Sequence, residues 1–540
     1  MARTSRLPDG LHPLVAALLF VAALMIGLSG IASLPPDEHE ILVLRSAHEM
    51  HARGDWVVPY FNDEPRLKKP PLSYWLTGLT AWAGGAEGKV EAWHGRLPSL
   101  LAGLAVLGMV LCAGRRFHGP RAALFAGATF TASVGFFNFT HDGRPDMLYA
   151  ALCTAGWMAG AVGLVEARGT RRAPMLWMWA AFGLATLAKG PHVPAMLAAG
   201  MALYCWLRRD EGGPRPAALR PLTGLVLMAL IALPWWLALH ARIDPAAVKG
   251  SQLAGKLLRP SMSHLLNGYY LYRPLQLLLP WVPLAPLSWL ALRGLRGPAR
   301  DFTLFLALCA GAVALALSFG SQQRFFYMLP VLPALCLLTG IGLAELETRW
   351  PGWALALGAL QALLILAAVG WLASRGHELP ALLGMFAVVG AFCAWQGRQA
   401  SRRLPALMLF GVVLVAAAFA RHADGTALWS VARFQRHALA TEVAARAPAD
   451  QLLLSYALTP VIYIQVTGRG IPEVWSTEAL SAAMRARGVR RAAVLALVKR
   501  RGELARHFAV RPIALMPVGA NDRAGLFEVT LKGDSKTSSD

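Results

Sequence analysis

Apolar runs of about 20 residues recur along the chain from Leu11 to Ala420, and each is long enough to cross a hydrocarbon core as a helix. The pattern predicts thirteen spans, at about 14–34, 97–114, 121–140, 147–165, 174–188, 191–207, 221–241, 274–292, 302–319, 325–344, 352–373, 380–396 and 404–420. The first run is too long and too poorly terminated for a cleaved signal peptide, so we interpret it as a retained span. The sequence therefore predicts a polytopic α-helical membrane protein.

Longer polar segments interrupt this pattern. Residues 35–96 include amphipathic stretches at 40–52 and 71–82, which are typical of helices lying along a membrane surface. Residues 242–273 form a second long segment. Beyond the transmembrane region at 1–421, residues 422–540 combine strand-like runs with a helical run, which predicts a small α/β domain that ends in a disordered tail. The strand-like runs are 451–455, 491–498 and 526–531, and the helical run is 475–487.

The distribution of charge sets the predicted orientation. Charged residues make up 15% of the chain, whereas a soluble domain carries about 25%. A net charge of +22 first suggests nucleic acid, but the arginines fall in alternate short loops between the spans, so we predict no nucleic-acid partner. Because such loops face the cytoplasm, the N-terminus is predicted to be cytoplasmic and both the long segments and the C-terminal domain periplasmic. The six cysteines lack metal-ligand spacing.

Ionisable residues collect on the predicted outer side, where they are costly and therefore candidates for function. They are Asp37 and Glu38 after the first span, Lys68 and Lys69 in the long segment, Arg144 and Asp146 before the fourth span, Lys189 between the fifth and sixth, and Arg324 with Tyr327 at the tenth. Arginine and lysine suit phosphate oxygens, and carboxylates suit a sugar ring, an amine or a developing cation. A phosphate leaving group needs charge stabilisation more than protonation, so this set predicts transfer from a phospholipid-like donor.

Structural roles for the same residues stay open at this stage. Asp146 fits a helix N-terminus whose dipole it complements. Lys68 and Lys69 fit membrane lipid headgroup anchors. A lipid or solute transporter is a further alternative, although transporters place their polar residues near the bilayer midplane and contain internal repeats, and neither feature stands out here.

Short motifs in a fixed order carry a family resemblance. They are Pro-Pro-Asp-Glu at 35–38, Gly-Asp-Trp-Val-Val-Pro at 54–59, Lys-Pro-Pro-Leu-Ser-Tyr-Trp-Leu at 69–76, Arg-Leu-Pro-Ser at 96–99, Arg-Pro-Asp-Met at 144–147, Leu-Ala-Lys-Gly-Pro at 187–191 and Arg-Phe-Phe-Tyr-Met-Leu-Pro at 324–330. In this order, the chain resembles the bacterial lipid A aminoarabinose transferases and the related protein O-mannosyltransferase-like glycosyltransferases of the GT-C fold. The resemblance extends over nearly the whole chain.

The resemblance implies an inner-membrane glycosyltransferase. Such an enzyme moves a sugar, 4-amino-4-deoxy-L-arabinose or a related one, from undecaprenyl phosphate to a lipid A phosphate on the periplasmic face. That change modifies lipopolysaccharide and favours resistance to cationic peptides and polymyxin. By position, Asp37 matches the family's principal catalytic carboxylate, with Glu38 beside it, and Asp146 matches the second carboxylate. Lys69 and Lys189 match the cations expected near phosphate. Arg324 and Tyr327 match the cluster at the start of the tenth span. Lys68 and Arg144 complete the expected phosphate-binding set.

The chain departs from the family pattern at two places, where Lys68 replaces a glutamate and Glu40-Ile41 replace an arginine and a tyrosine. The identity of the sugar therefore stays open, and so does a second reading, a polyprenyl-phosphate-mannose-dependent protein or glycan mannosyltransferase. The chemistry requires no cofactor, and the involvement of a divalent metal is left open.

Overall fold

Apolar helices build the part of the chain that precedes residue 423. The computed structural model describes residues 13–85, 90–243, 267–320, 323–374, 390–391, 399, 402–422, 431–447, 451–515 and 524–532. Its helices in this part are α1 (Pro13–Leu28), α2 (Glu38–Arg53), α3 (Leu72–Ala83), α4 (Ala92–Phe117), α5 (Pro120–Thr131), α6 (Val134–Thr140), α7 (Asp146–Ala161), α8 (Ala173–Ala188), α9 (His192–Arg208), α10 (Pro221–His240), α11 (Tyr269–Leu278), α12 (Ala285–Ala291), α13 (Gly297–Ser318), α14 (Leu332–Arg349), α15 (Pro351–Ser374) and α16 (Arg403–His422).

Several of these helices are long and apolar enough to cross a membrane. Within the described residues they number six by length and composition, or up to eight if each of two bent helix pairs is one span. Shorter apolar helices occur at Pro13–Leu28, Ala173–Ala188 and Arg403–Ala418. The chain is thus a multi-pass membrane protein. The count of thirteen stays a prediction, and most of the predicted span at 380–396 and of the segment at 242–273 lies outside the described residues.

Small residues let the spanning helices approach one another closely. A Cβ atom on Gly340 of α14 would lie 2.4 Å from the backbone nitrogen of Ala126 in α5, and one on Gly200 of α9 would lie 2.8 Å from the Cα of Cys309 in α13. In membranes, where lipid tails are as apolar as leucine, such close backbone packing contributes much of the association between helices. Glycine at these two positions therefore sets the distance between neighbouring spans.

The first polar segment folds into a capped helix followed by a hairpin. Asp37 is the N-cap of α2: its side chain accepts from the backbone N–H of His39, and the backbone N–H of Asp37 donates to the side chain of Glu40. Gly54 ends the helix in the left-handed conformation, with φ of 65°. Strands β1 (Tyr60–Phe61) and β2 (Glu64–Pro65) then pair across a two-residue turn with positive φ at both central residues. The amphipathic stretches predicted at 40–52 and 71–82 are the helices α2 and α3.

The C-terminal region folds around a five-stranded sheet of β3 (Leu453–Tyr456), β4 (Glu473–Val474), β5 (Arg491–Leu497), β6 (Phe508–Leu515) and β7 (Ala524–Leu531). The strand order is β4-β3-β5-β7-β6. Strand β3 is parallel to β4 and β5, and β7 is antiparallel to β5 and β6. Its helices are α17 (Val431–Arg446), α18 (Val461–Thr467), α19 (Thr477–Ala486) and α20 (Arg501–His507). Strands β3, β5 and β7 and helix α19 lie at the runs that the sequence predicts, whereas β4 and β6 are not predicted. Most of the tail predicted to be disordered lies outside the described residues.

The C-terminal domain packs on the capped helix and its hairpin. Ile41 of α2 is fully buried in one apolar cluster with residues of this domain, including Ile464 and Leu495. The side chain of Asn62 in the hairpin turn donates to the carbonyl of Ile471 at 2.9 Å and accepts from the N–H of the same residue at 2.8 Å. These contacts fix the domain against the segment that carries Asp37.

Replacing Gly340 with alanine is expected to destabilise the protein by about 1–3 kcal/mol, because the new Cβ would overlap the backbone of α5. The matched control is Gly311→Ala in α13, where nothing lies within 4 Å of the added Cβ. Thermal unfolding of the purified variants in detergent measures the difference. Equal unfolding temperatures for the two variants would contradict the close approach of α5 and α14.

Candidate active site

A buried ion pair holds together the segments that surround the site. Arg96 of α4 and Glu40 of α2 both have side chains that are 0% exposed, and the arginine Nε lies 2.7 Å from Glu40 Oε1. All five guanidinium N–H groups are used: two go to the Glu40 carboxylate and the others to the carbonyls of Ile31, Leu34 and Pro35. The pair therefore joins the end of the first span, α2 and α4 in one fixed arrangement.

The same carboxylate positions the loop between α6 and α7. Glu40 Oε1 accepts from the backbone N–H of Gly143 at 3.0 Å, and the Ser99 hydroxyl on α4 donates to the carbonyl of Asp142 at 2.7 Å. Within the loop, the carboxylate of Asp142 pairs with the guanidinium of Arg144. Burial raises the pKa of Asp142 to about 6 against the charge of Arg144, and the charge of Asp37 acts in the same direction as burial. Asp37 and this loop are thus electrostatic neighbours.

A second buried ion pair lies at the start of α7. Asp146 is the first residue of that helix, and its Oδ1 lies 2.5 Å from Lys189 Nζ, with side-chain exposures of 5% and 6%. Lys189 follows α8 in a turn where Gly190 has φ of 122°. The Tyr149 hydroxyl, one turn along α7, donates to the carbonyl of Gly190 at 2.9 Å and so fixes the turn. Asp146 therefore complements the helix dipole and also holds the lysine.

Three cations of the site lie around one aromatic ring, that of Phe326. The centroid of Phe326 lies 5.2 Å from the Arg144 guanidinium, 5.5 Å from Lys189 Nζ and 5.8 Å from the Arg324 guanidinium. Tyr327, the next residue, lies 5.0 Å from Lys189 Nζ. Cations within about 6 Å of a ring are attracted by its electron-rich face, so the 3-10 helix Phe325–Val331 forms a wall on which the three cations meet.

Lys69 and Asp37 complete the site at its accessible side. Burial lowers the pKa of Lys69 to about 8, the charge of Lys189 acts in the same direction, and the charge of Asp146 opposes them. Asp37 has a side chain that is 40% exposed, in contrast to the nearly buried Asp146. A ligand can thus reach Asp37, whereas Asp146 is engaged with Lys189.

Two of the predicted residues point elsewhere. Glu38 Oε1 lies 2.6 Å from a guanidinium nitrogen of Arg436 on α17, and both side chains are about half exposed, so Glu38 joins α2 to the C-terminal domain. Lys68 is exposed, and its charge acts on Glu473 of β4. The neighbouring residues Lys68 and Lys69 therefore differ: the first is exposed and the second is partly buried.

Sequence reasoning missed residues that organise the site. Glu40 and Arg96 occur among the predicted features only as parts of motifs, and Asp142, Phe326 and Tyr149 are not among the predicted site residues. An arginine at the start of an apolar span is a signal for Arg96, because a charge there requires a partner. No comparable signal marks Phe326, since an aromatic residue in an apolar helix is ordinary.

Comparison with known proteins shows which proteins this chain resembles. A family model described as dolichyl-phosphate-mannose-protein mannosyltransferase matches residues 68–237. The undecaprenyl phosphate-alpha-4-amino-4-deoxy-L-arabinose arabinosyl transferase of Edwardsiella ictaluri is 26% identical over 430 residues, which are 74% of this chain and 75% of that protein. Arabinosyl transferase 1 of Sodalis glossinidius, which carries the same description, is 27% identical over 60% of this chain, and the match spans only 57% of that relative.

Solved structures show the same fold over nearly the whole chain. The crystal structure of ArnT from Cupriavidus metallidurans in the apo state matches with a TM-score of 0.71 and 22% identity, covering 95% of this chain and 97% of that one. The structure of the same protein bound to undecaprenyl phosphate also matches with a TM-score of 0.71 and 22% identity, over 97% and 98% of the two chains. The fold is thus of the GT-C type. Within that class, the predicted resemblance to the aminoarabinose transferases and protein mannosyltransferases is confirmed.

The Glu40→Ala variant is expected to lose about 3–5 kcal/mol of unfolding free energy, because it leaves the guanidinium of Arg96 buried without its carboxylate. The matched control is Glu442→Ala, which removes an exposed ion pair with Arg446 on α17 and is expected to cost less than about 1 kcal/mol. Chemical or thermal unfolding in detergent measures both. A loss for Glu40→Ala no larger than for the control would contradict a structural role for the buried pair.

Proposed function

We propose that the chain is an inner-membrane glycosyltransferase that moves a sugar from undecaprenyl phosphate to a lipid A phosphate on the periplasmic face. The sugar is 4-amino-4-deoxy-L-arabinose or a related one. The observation that carries the proposal is the convergence of Arg144, Lys189 and Arg324 around the ring of Phe326. The charges of Lys69 and of the accessible Asp37 act on this group. Clustered cations suit two phosphates, one on the donor and one on the acceptor.

The comparisons support the donor. Relatives that match most of the chain are described as acting with an undecaprenyl-phosphate-linked aminoarabinose, and ArnT, which shares the fold, has been crystallised with undecaprenyl phosphate. The product would be a modified lipopolysaccharide with a lower negative charge, which accounts for resistance to cationic peptides and polymyxin. In this scheme the N-terminus is cytoplasmic and the C-terminal domain periplasmic, as the charged loops predict.

The proposed reaction is a single inverting displacement. An oxygen of the acceptor phosphate forms a bond to the anomeric carbon, while the bond from that carbon to the undecaprenyl phosphate oxygen breaks and its electron pair leaves with the phosphate. The acceptor phosphate is already an anion at neutral pH, so it needs little help from a general base. Asp37 then orients the sugar and balances the positive charge that develops at the anomeric carbon, and Lys69 and Arg324 stabilise the departing phosphate.

Asp146 and Lys189 have a positioning role in this scheme. Their mutual ion pair is nearly buried, so neither is free to exchange a proton during turnover, while the lysine still contributes positive charge at the ring of Phe326. The pair instead holds α7 and α8 at the distance that places Arg144 and Tyr327 in the site. The scheme uses no metal ion or other cofactor.

A second candidate function is supported by the family model at residues 68–237, whose description names a protein mannosyltransferase. With a hydroxyl acceptor, a carboxylate has to remove the proton of the attacking oxygen, and Asp37 is the accessible one. The two functions share the donor chemistry and differ in the acceptor.

The acceptor is tested by mass spectrometry of lipid A from cells that lack this protein and are complemented with wild type, Asp37→Asn or Asp63→Asn. We expect a sugar-sized mass increment on a lipid A phosphate with wild type and with Asp63→Asn, and its loss with Asp37→Asn. Asp63 is a matched control because it lies in the same segment and its side chain is 76% exposed. The mass of the increment identifies the sugar class. Unchanged lipid A in every strain would rule out lipid A as acceptor and favour a glycosylated protein or another envelope glycan.

Donor binding is expected to weaken as the pH rises through about 8. Lys69 has its pKa lowered to about 8, so its positive charge is present below that pH and is lost above it. Binding of a phosphate favours the charged form, and deprotonation therefore removes the attraction. The measurement is the affinity of the purified protein for undecaprenyl phosphate from about one pH unit below the titration of Lys69 to about one unit above it. The Lys69→Arg variant stays charged over this range and is expected to abolish the pH dependence. If it leaves the dependence unchanged, Lys69 is not the titrating group.

A further inference from the structure

A cavity of about 580 Å³ lies at the other end of the helix bundle. Arg96 lies near the start of α4 and Arg115 near its end, so the rise of 1.5 Å per residue places the cavity roughly 30 Å from the candidate active site. The residues that matter for its chemistry are Arg115, Arg116, His118, Arg296, Glu345 and Arg349. They come from the end of α4, the turn before α13 and the end of α14, which belong to the face predicted to be cytoplasmic.

The cavity is strongly cationic. Two of its four arginines are held by carboxylates: Arg116 by both oxygens of Glu166, at 2.5 and 2.8 Å, and Arg349 by Glu345 at 2.8 Å. The other two, Arg115 and Arg296, are exposed and have no ion-pair partner among the residues that the structure describes. The guanidinium groups of Arg115 and Arg296 are therefore available to bind an anion, next to two arginines that carboxylates hold in place.

The wall of the cavity is shaped to hold one of these arginines. A Cβ atom on residue 294 would lie 1.6 Å from Nη1 of Arg349, so only glycine leaves room for that guanidinium. The same nitrogen is 3.4 Å from the carbonyl oxygen of Ala291, to which it donates. Arg349 is thus packed against the backbone and is not a side chain that extends freely into water.

Apolar groups lie beside the cations. Phe117 stacks on Phe302 of α13 with ring centroids 4.0 Å apart, and Leu295 is 8% exposed. The cavity lies where apolar helices end. Arginines therefore surround its opening, and apolar side chains beside Phe117 form one flank. That combination suits a ligand with an anionic head and a hydrocarbon tail.

We propose that this cavity binds the phosphate headgroup of an anionic phospholipid of the adjacent leaflet. Arg115 and Arg296 bind the phosphate oxygens, and the acyl chains lie along the apolar flank beside Phe117. Arginines elsewhere on this face, such as Arg172 and Arg209, are exposed and lie outside the cavity, so they satisfy the orientation rule without forming a site. The arrangement is independent of the transferase chemistry proposed above, because no residue is shared.

The test titrates the purified full-length protein in detergent with phosphatidylglycerol and, separately, with zwitterionic phosphatidylcholine, and counts bound lipid by native mass spectrometry. We expect phosphatidylglycerol to bind about tenfold more tightly than phosphatidylcholine. The double variant Arg115→Gln/Arg296→Gln is expected to lose about tenfold or more of the phosphatidylglycerol affinity, since each arginine near a lipid surface contributes about 1 kcal/mol. The matched control, Arg172→Gln/Arg209→Gln, removes the same charge from the same face and is expected to keep the affinity.

Three results would overturn the proposal: equal binding of the two lipids, equal losses in the double variant and its control, and displacement of phosphatidylglycerol by millimolar inorganic phosphate alone. The last would assign the cavity to free phosphate. The single variants Arg115→Gln and Arg296→Gln are each expected to lose part of the affinity, and they keep the test decisive if the double variant does not fold. Because the readout is lipid binding, the outcome does not depend on whether the protein transfers a sugar.

Discussion

The buried pair of Arg96 and Glu40 is the interaction on which the arrangement of the site depends. Removing two charges from water costs several kcal/mol per ion, and an isolated pair in an apolar bundle seldom recovers that cost. Here every N–H of the guanidinium has an acceptor, and the carboxylate also accepts from the backbone of Asp37 and Gly143. One fully satisfied pair thereby fixes the end of the first span, the N-terminus of α2 and the loop before α7 relative to each other.

Some charged residues of the site pair with each other and stabilise the structure, and others are accessible to a ligand. Asp146 pairs with Lys189, and Asp142 with Arg144, whereas Asp37 is accessible. The cations share the ring of Phe326, which keeps like charges close without a carboxylate between every pair. Phosphate oxygens would stabilise such a group of cations. Burial lowers the pKa of Lys69, and the charge of Lys189 acts in the same direction.

The C-terminal domain contributes to the site indirectly. Its α17 contacts the segment around Asp37, with Arg436 paired to Glu38 and the ring of His437 2.7 Å from the carbonyl oxygen of Pro36. The hairpin that follows α2 is tied to the same domain through Asn62 and Ile471. The α/β domain therefore contacts the residues on both sides of the accessible carboxylate.

The sequence by itself determined the apolar helices, three strands of the C-terminal domain and the residue types of the site, because hydrophobic periodicity and turn residues depend on neighbours a few positions apart. Short motifs also sufficed for the family resemblance. Only the tertiary structure decided that Glu40 pairs with Arg96, that Lys68 is exposed and Lys69 partly buried, that Glu38 is held by Arg436, and that Phe326 collects three cations. The physical reason is distance along the chain: these partners lie on separate helices, and no local pattern specifies which buried charge a helix will meet after packing.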